Sequence, residues 1–164
     1  MRLHLRPATP SDATTIATLV RELAADEGLE AEVRSTPEDL ARLLFGRDAV
    51  GHALLAEVDD EVVGFALYFR NLSTLLGRPG LYLEDLYVRP AWRGRGVGRA
   101  LLASLAQEAV ARGYGRLDWA VQRANTSARA VYRHSGAREL DDWLLCRLEG
   151  TALAQLAAAA PAAP

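Results

Sequence analysis

Apolar residues recur at helical spacing in two stretches near the start of the chain. The first stretch follows residues 9–12, which read Thr-Pro-Ser-Asp and combine an N-cap residue, a proline and an acid in the first turn. We predict a helix there, ending at Gly28. The same signal at residues 36–39 predicts a second helix, ending at Gly46. The apolar positions of the two helices are Ile16, Leu19, Val20, Leu23, Leu40, Leu43 and Leu44.

Shorter apolar runs between polar turns predict strands. Together with two later helices, they give the order β-α-α-β-β-β-α-β-α-β. The predicted strands are residues 3–6, 53–58, 62–69, 81–88 and 116–121 and one within 142–148; the later helices run from the glycine-rich residues 93–98 to about Gly113 and from Asn125 to about His134. Because the second and third strands form an antiparallel hairpin, this order favours a mixed α/β sheet over a doubly wound parallel one.

Length and composition narrow the class of protein. The 164 residues fit one domain, which we place at residues 1–150; the Ala/Pro-rich tail at 151–164 is expected to be disordered. A net charge of −2 argues against nucleic-acid binding. The single cysteine, Cys146, is predicted to be a buried structural thiol because it lies in an apolar run. Without a signal-peptide pattern or a membrane-length apolar stretch, we expect a cytoplasmic protein that binds no membrane. The three histidines lack ligand spacing, so no metal is expected.

The glycine-rich segment is the strongest chemical signal. Residues 93–98 read Arg-Gly-Arg-Gly-Val-Gly between a predicted strand and a helix, where backbone N–H groups and arginines suit a pyrophosphate. A Walker loop would need Gly-Lys-Ser/Thr, and Gly98 is followed by Arg99. A dinucleotide loop would need a glycine at that same position, although Asp118 partly mimics its ribose-binding acid. The acyl-CoA signature Arg/Gln-x-x-Gly-x-Gly/Ala is filled by Arg93, Gly96 and Gly98.

Four stretches, one of which contains this signature, resemble the GNAT superfamily of N-acetyltransferases, most closely its diamine (spermidine/spermine) acetyltransferase branch. The stretches are residues 6–9, 22–24, 81–98 and 125–137. The resemblance implies a mixed, mostly antiparallel central sheet, split by an acyl-CoA cleft, with helices on both faces. It also implies acetyl-CoA as cosubstrate and a strand bulge whose amide stabilises charge on the thioester oxygen. The residues it assigns to the coenzyme are Leu86, Tyr87, Val88, Arg93, Gly94, Arg95, Gly96, Val97, Gly98, Arg99 and Asn125.

Two catalytic residues are expected: Tyr132 from the resemblance, and Glu84 because it interrupts an otherwise apolar strand beside the expected acyl site. Tyr132 matches the family's general acid; because a phenol is a weaker acid than a thiol, protonating the leaving thiolate is uphill by roughly 2 kcal/mol. Glu84 is the candidate for the base that the alkylammonium requires. An ordinary glutamate is too weak by about 8 kcal/mol, so Glu84 would need burial, or would orient a water and hold the cation. A solvent-facing Glu84 and a tyrosine packed on the sheet are the alternatives.

Acids at the end of the first helix indicate the acceptor. Residues expected to bind the substrate cation are Asp26, Glu27, Glu84 and Asp85. The chain departs from the animal enzymes at Asp26 and Gly28, which replace aromatic residues, at Ala124, which replaces a tryptophan, and at Arg123, which replaces an acid. These departures disfavour a long polyamine and leave a diamine, a lysine-like amino acid or another small amine. As an alternative, the acids form a solvated helix face.

The sequence therefore predicts direct acetyl transfer from acetyl-CoA to a small primary amine in a ternary complex. The lone cysteine lies away from the motifs and gives no support to a covalent enzyme intermediate. The alternatives are acetylation of a peptide or protein, a regulatory acyl-CoA-binding module without turnover, and a nucleotide-dependent oxidoreductase. A homodimer with the last strand near its interface is implied by the family likeness.

Overall fold

Both helical start signals open helices in this computed structural model, which describes residues 2–161. A short 3-10 turn at Pro10–Asp12 leads into α1 (Ala13–Asp26), and α2 spans Pro37–Phe45. In each case the acid three residues after the threonine accepts the threonine's backbone N–H, as in a capping box. Local chemistry therefore sets where these helices begin.

Contacts divide the chain into two units, Met1–Ala120 and Val121–Pro164. The first unit holds a five-stranded sheet in the order β1-β2-β3-β4-β5. Its strands are β1 (Leu3–Pro7), β2 (His52–Val58), β3 (Glu61–Ser73), β4 (Arg78–Val88) and β5 (Leu117–Trp119). All neighbouring pairs are antiparallel except β4 and β5, which are parallel. The predicted mixed, mostly antiparallel sheet is confirmed.

Helices cover both faces of this sheet. On one face, Phe65 of β3 and Tyr87 of β4 are buried in a cluster with apolar residues of α1 and α2. Alternation along β3 directs Tyr68 to the other face, where its hydroxyl donates to Glu108 of α3 (Val97–Ala111) at 2.8 Å. We call the first face the α1 face; it carries the acids discussed below.

The sheet opens between β4 and β5. The two strands pair only from Leu81 to Leu83 on β4 and from Leu117 to Trp119 on β5. Within residues 2–161, no strand pairs with this edge of β4 from residue 84 to Val88. The predicted split in the sheet therefore leaves backbone groups available on the strand that leads into the glycine-rich segment.

The second unit corrects several expectations. Its described residues form α4 (Thr126–His134) and α5 (Gly150–Ala158), and no strand forms at residues 142–148. The predicted strand is wrong because a strand requires a partner, and this unit contains no other strand among its described residues. Cys146 is exposed, as is Trp143, so the prediction of a buried thiol is wrong.

The C-terminal tail is partly helical where disorder was predicted. Helix α5 includes much of the alanine-rich sequence, consistent with the high helix propensity of alanine. Residues 162–164 lie outside the described part. A single domain over residues 1–150 stays a prediction.

A salt-bridge network joins β1, β2 and the start of α1. Arg6 donates to both Asp12 carboxylate oxygens, at 2.8 and 2.9 Å, and to Glu57 at 2.7 Å. These guanidinium bonds hold the pKa of the buried Asp12 carboxyl well below its usual range. We expect Asp12→Asn to lower the free energy of unfolding by about 2 kcal/mol at pH 7, measured by urea denaturation.

The pH dependence has a definite sign. A carboxyl whose pKa is depressed by folding stabilises the protein above its unfolded-state value, and this contribution is lost as pH falls toward the folded value. The difference between wild type and Asp12→Asn should therefore shrink below about pH 4. Asp39→Asn, in the more exposed capping box of α2, is the matched control and should cost less. Equal losses from the two variants would contradict the role of the Arg6 network.

Candidate active site

The glycine-rich segment forms a loop and the first turn of α3. Gly94 and Gly96 have φ of 72° and 85°, a region that favours glycine, and nothing lies within 4 Å of the position that a Cβ would take at either. Gly96 is the N-cap of α3 and has no side chain to satisfy the first-turn N–H groups. The loop therefore offers backbone donors and open space to an anionic group, and fits a pyrophosphate.

Arg93 links this loop to the end of α1. Its Nε donates to the carbonyl oxygen of Val88 at 2.8 Å, and its guanidinium forms an ion pair with Asp26. The same guanidinium lies over the Tyr87 ring, 5.5 Å from the centroid. Arg93, predicted to bind the coenzyme, thus contacts Asp26, predicted to bind the substrate. Nothing in the sequence indicated this contact, because the two residues lie far apart in the chain.

A β-bulge interrupts β4 beside the open edge. Leu67 of β3 pairs with Asp85, whereas the next residue, Tyr68, pairs with Leu83, so Glu84 is the extra residue. The bulge lies on the strand predicted to contain one. It changes the direction of the following side chains, as a shift of one residue does in any strand.

Two acids of β4, Glu84 and Asp85, lie near Glu27, the C-cap residue of α1. Asp85 is partly buried, whereas Glu84 is exposed. Burial raises the pKa of Asp85 to about 6, and the negative charges of Glu84 and Glu27 add to the shift. The pKa of Glu27 is also raised, first by loss of hydration and then by Asp26. The arrangement suits a cation, which would relieve the repulsion between these carboxylates.

An aromatic pair and a further acid extend this face toward β5. Phe69 and Tyr82 stack with ring centroids 5.1 Å apart. Burial raises the pKa of Tyr82, and the charges of Glu84 and Asp118 contribute. Asp118 is held by Arg116 at 2.7 Å and accepts a hydrogen bond from Asn71. The Asp118 carboxylate is therefore already paired with groups of the sheet, whereas the acid of a dinucleotide site must be available to bind a ribose.

Asn125 and Tyr132 both belong to α4 or its cap in the second unit. The Asn125 side-chain oxygen accepts the N–H of Ala128 at 3.1 Å, which caps the helix. Tyr132 is partly buried, two turns further along. Arg129 and Arg133 bind Glu139 after the helix ends. These contacts stabilise the helix that carries the predicted general acid.

Arg89 was not predicted from the sequence to contribute to the site, yet its hydrogen bonds connect the elements around it. It donates to both Glu22 carboxylate oxygens at 3.0 Å, and to Glu61 and the Val62 carbonyl. These bonds tie α1 to the end of β4. The available signal was the Arg-Pro pair that ends the strand, which indicated only a boundary.

Among residues 2–161, no group of three or more His, Cys, Asp or Glu side chains is arranged to hold a metal ion. None of the helices in that same range has the length and hydropathy needed to span a membrane.

Curated relatives are similar to this chain over more than half of its length. Mouse (Mus musculus) thialysine N-epsilon-acetyltransferase is 36% identical over 165 residues, covering 94% of this chain and 96% of the relative. An Arabidopsis thaliana L-ornithine N5-acetyltransferase is 41% identical over 95 residues, covering 58% of this chain and 42% of the relative. The human spermidine/spermine N(1)-acetyltransferase-like protein 1 is 32% identical over 94% of this chain and 24% of its own length.

Solved structures share the fold. An integron cassette protein from the mobile metagenome of V. cholerae matches with a TM-score of 0.80 and 26% identity, covering 96% of this chain and 98% of that one. A predicted acetyltransferase from Clostridium acetobutylicum, solved with acetyl-CoA, matches with a TM-score of 0.73 and 21% identity, over 89% and 96% of the two chains. The family model for the acetyltransferase (GNAT) family matches residues 17–137. The chain belongs to the GNAT family of acetyltransferases.

Proposed function

We propose that this chain acetylates a small primary amine with acetyl-CoA, by direct transfer in a ternary complex. The observation that carries the proposal is the group of carboxylates on the α1 face, next to the open edge of β4. Relatives named for thialysine, ornithine and spermidine or spermine support an acceptor with a terminal ammonium. A peptide acetyltransferase, the main rival, is better served by a groove without acids.

The glycine-rich loop is the proposed binding site for the coenzyme pyrophosphate. Donors would come from the N–H groups of the first turn of α3, supported by the positive end of its dipole. Exposed arginines at 95 and 99 add charge, whereas Arg93 is engaged by Asp26 and Val88. Arg93 would therefore mainly hold the loop against α1. The coenzyme residues proposed here are Arg93, Gly94, Arg95, Gly96, Val97, Gly98, Arg99 and, by family likeness, Asn125.

The open edge of β4 is the proposed binding site for the pantetheine arm. Leu86, Tyr87 and Val88 lie on the stretch that β5 leaves unpaired. Acetyl-CoA supplies an acetyl group activated as a thioester. An amide at the Glu84 bulge would stabilise the negative charge that develops on the acetyl oxygen, in the manner of an oxyanion hole.

The acceptor amine requires both a counter-charge and a proton acceptor. Asp26, Glu27, Glu84 and Asp85 are the residues that we propose to hold its ammonium. An alkylammonium with a pKa of ~10.4 is only about 0.1% neutral at pH 7, so attack requires transfer of a proton to a base. Because Asp26 is paired with Arg93, the attraction for a cation falls chiefly on the other three acids.

The function is tested by measuring release of the CoA thiol from acetyl-CoA with single acceptors. The panel comprises putrescine, spermidine, lysine, thialysine, an aminoglycoside and a peptide. We expect turnover with at least one of the small amines and none with the peptide. Turnover with the peptide alone would favour the rival enzyme. Acetyl-CoA binding without turnover of any acceptor would favour a regulatory module.

Tyr132 is proposed as the general acid that protonates the leaving thiolate. Tyr132→Phe removes the hydroxyl proton and keeps the ring, so we expect kcat to fall on the order of 100-fold with little change in the KM for the amine. The same assay measures both constants. Tyr114→Phe, on the residue after the α3 C-terminal turn, is the matched control and should behave as wild type. Equal activities of the two variants would remove Tyr132 from the mechanism.

A homodimer and a cytoplasmic location complete the proposal. Trp143, Leu144 and Leu145 are 75 to 83% exposed, and such an apolar surface favours association with another protein surface. Sedimentation at the mass of a monomer would argue against the dimer. The location follows from the proposed cosubstrate, an intracellular metabolite, and is tested by cell fractionation.

A further inference from the structure

The β4 bulge separates the roles of the two adjacent carboxylates, Glu84 and Asp85. In an unbroken antiparallel pair, Leu67 would face Glu84, because Tyr68 faces Leu83. The inserted residue shifts this register, so that Leu67 faces Asp85 instead. Leu67 packs against the cluster under α1 and α2, and Asp85 therefore points to that same face.

Asp85 is more buried than Glu84. Glu84, at the bulge, is exposed, whereas Asp85 is partly buried beside the α1 face. A carboxylate becomes a stronger base when it is buried, and from the sequence Glu84 was expected to be the base, either by burial or by orienting a water. Because of the register shift, the more buried carboxylate is that of Asp85, the next residue.

The groups around Asp85 are acidic. The negative charges of Glu84 on its own strand and of Glu27 at the C-cap of α1 act on the Asp85 carboxylate, and Leu67 faces it from β3. The two arginines that follow β4 form ion pairs with other acids. Arg93 binds Asp26, and Arg89 binds Glu22 and Glu61. Within residues 2–161, no hydrogen bond or ion pair engages the Asp85 carboxylate. A carboxylate in this position binds a proton more strongly than a solvated one.

We propose that Asp85, and not Glu84, accepts the proton of the acceptor ammonium. This inference rests on the proposed function and adds the identity of the base. One N–H proton moves to Asp85, and the nitrogen lone pair forms the C–N bond while the C–S bond breaks. The sulfur takes a proton from the general acid, which recovers one from water. The second nitrogen proton and the Asp85 proton leave to water.

The test compares Asp85→Asn with Glu84→Gln, each of which replaces a carboxylate by an amide of the same size. With the best amine of the panel, Asp85→Asn should lower kcat by about 100-fold or more. The wild-type rate should fall below pH ~6 as this carboxylate is protonated, and Asp85→Asn should lose that limb. Glu84→Gln should lose less than tenfold in kcat, and its rate should still fall below pH ~6. Circular dichroism and acetyl-CoA affinity check that both variants fold.

Two results would overturn the assignment: a larger kcat loss in Glu84→Gln, or an Asp85→Asn variant that raises only the KM for the amine. A readout independent of turnover separates this inference from the proposed function. Infrared difference spectra, wild type minus Asp85→Asn, should show a carboxyl that titrates near pH 6. Titration in the ordinary aspartate range would refute Asp85 as the base even if amines are acetylated. The proposed function is tested separately, by whether the wild-type protein acetylates any amine of the panel.

Discussion

Replacing Gly96 with valine is expected to weaken acetyl-CoA binding on the order of 100-fold. Gly96 has a φ of 85°, which a β-branched residue rarely adopts, and it caps α3 where the first-turn N–H groups are available. The new side chain would also enter the open space in front of those groups. Loss of two hydrogen bonds to a charged phosphate, at about 1.5 kcal/mol each, gives about this change in Kd. Isothermal titration calorimetry with acetyl-CoA measures it.

Gly77→Val is the matched control for this variant. Gly77 also has a positive φ, 60°, with nothing within 4 Å of its Cβ position, but it lies in the β3–β4 turn. Both substitutions strain the backbone, and only the one at Gly96 should affect the coenzyme. If the two variants bind acetyl-CoA equally well, the pyrophosphate is not held by this loop.

Truncating Phe65 to alanine should lower the free energy of unfolding by about 3–5 kcal/mol. Its side chain is fully buried between the sheet and the helices α1 and α2, in the cluster that also contains Tyr87. The truncation removes apolar contacts and leaves a cavity that its neighbours fill only in part. Urea denaturation followed by circular dichroism measures the change.

Leu75→Ala serves as the control for Phe65→Ala. Leu75 is 95% exposed in the β3–β4 turn, so its truncation should change stability by less than about 0.5 kcal/mol. A loss below about 1.5 kcal/mol in Phe65→Ala would mean that Phe65 does not lie in a close-packed core between α1, α2 and the sheet.

Elements set by short-range chemistry were predicted well. The capping boxes at Thr9 and Thr36, each followed by a proline, mark where helical structure starts. The turn between β2 and β3 is formed by Asp59 and Asp60, both with positive φ, as the run of polar residues suggested. Such signals need no knowledge of the rest of the chain.

Features that depend on pairing between distant segments were not predicted. The connection between the strands predicted at 62–69 and 81–88 is shorter than those bounds imply, because β3 and β4 continue their pairing to Ser73 and Arg78. The apolar run at residues 143–146 led to the prediction of a strand within 142–148 and of a buried Cys146; the structure has no strand there, and Cys146 is exposed.

The candidate site shows the same division. The glycine-rich loop could be predicted because its conformation depends on the local sequence, with glycine at the positive φ of positions 94 and 96. Which of Glu84 and Asp85 is buried depends on a one-residue shift against β3, and sequence alone cannot place that shift. The ion pair of Arg93 with Asp26 likewise joins residues 67 positions apart.

Identification of the acetylated product tests the central claim most directly. Isotope-labelled acetyl-CoA is incubated with the enzyme and an equimolar mixture of thialysine, putrescine, spermidine and a peptide, and the products are resolved by mass spectrometry. The account predicts one labelled acetyl group on the terminal nitrogen of a small amine. Label found only on the peptide, or in no acceptor despite bound acetyl-CoA, would contradict it.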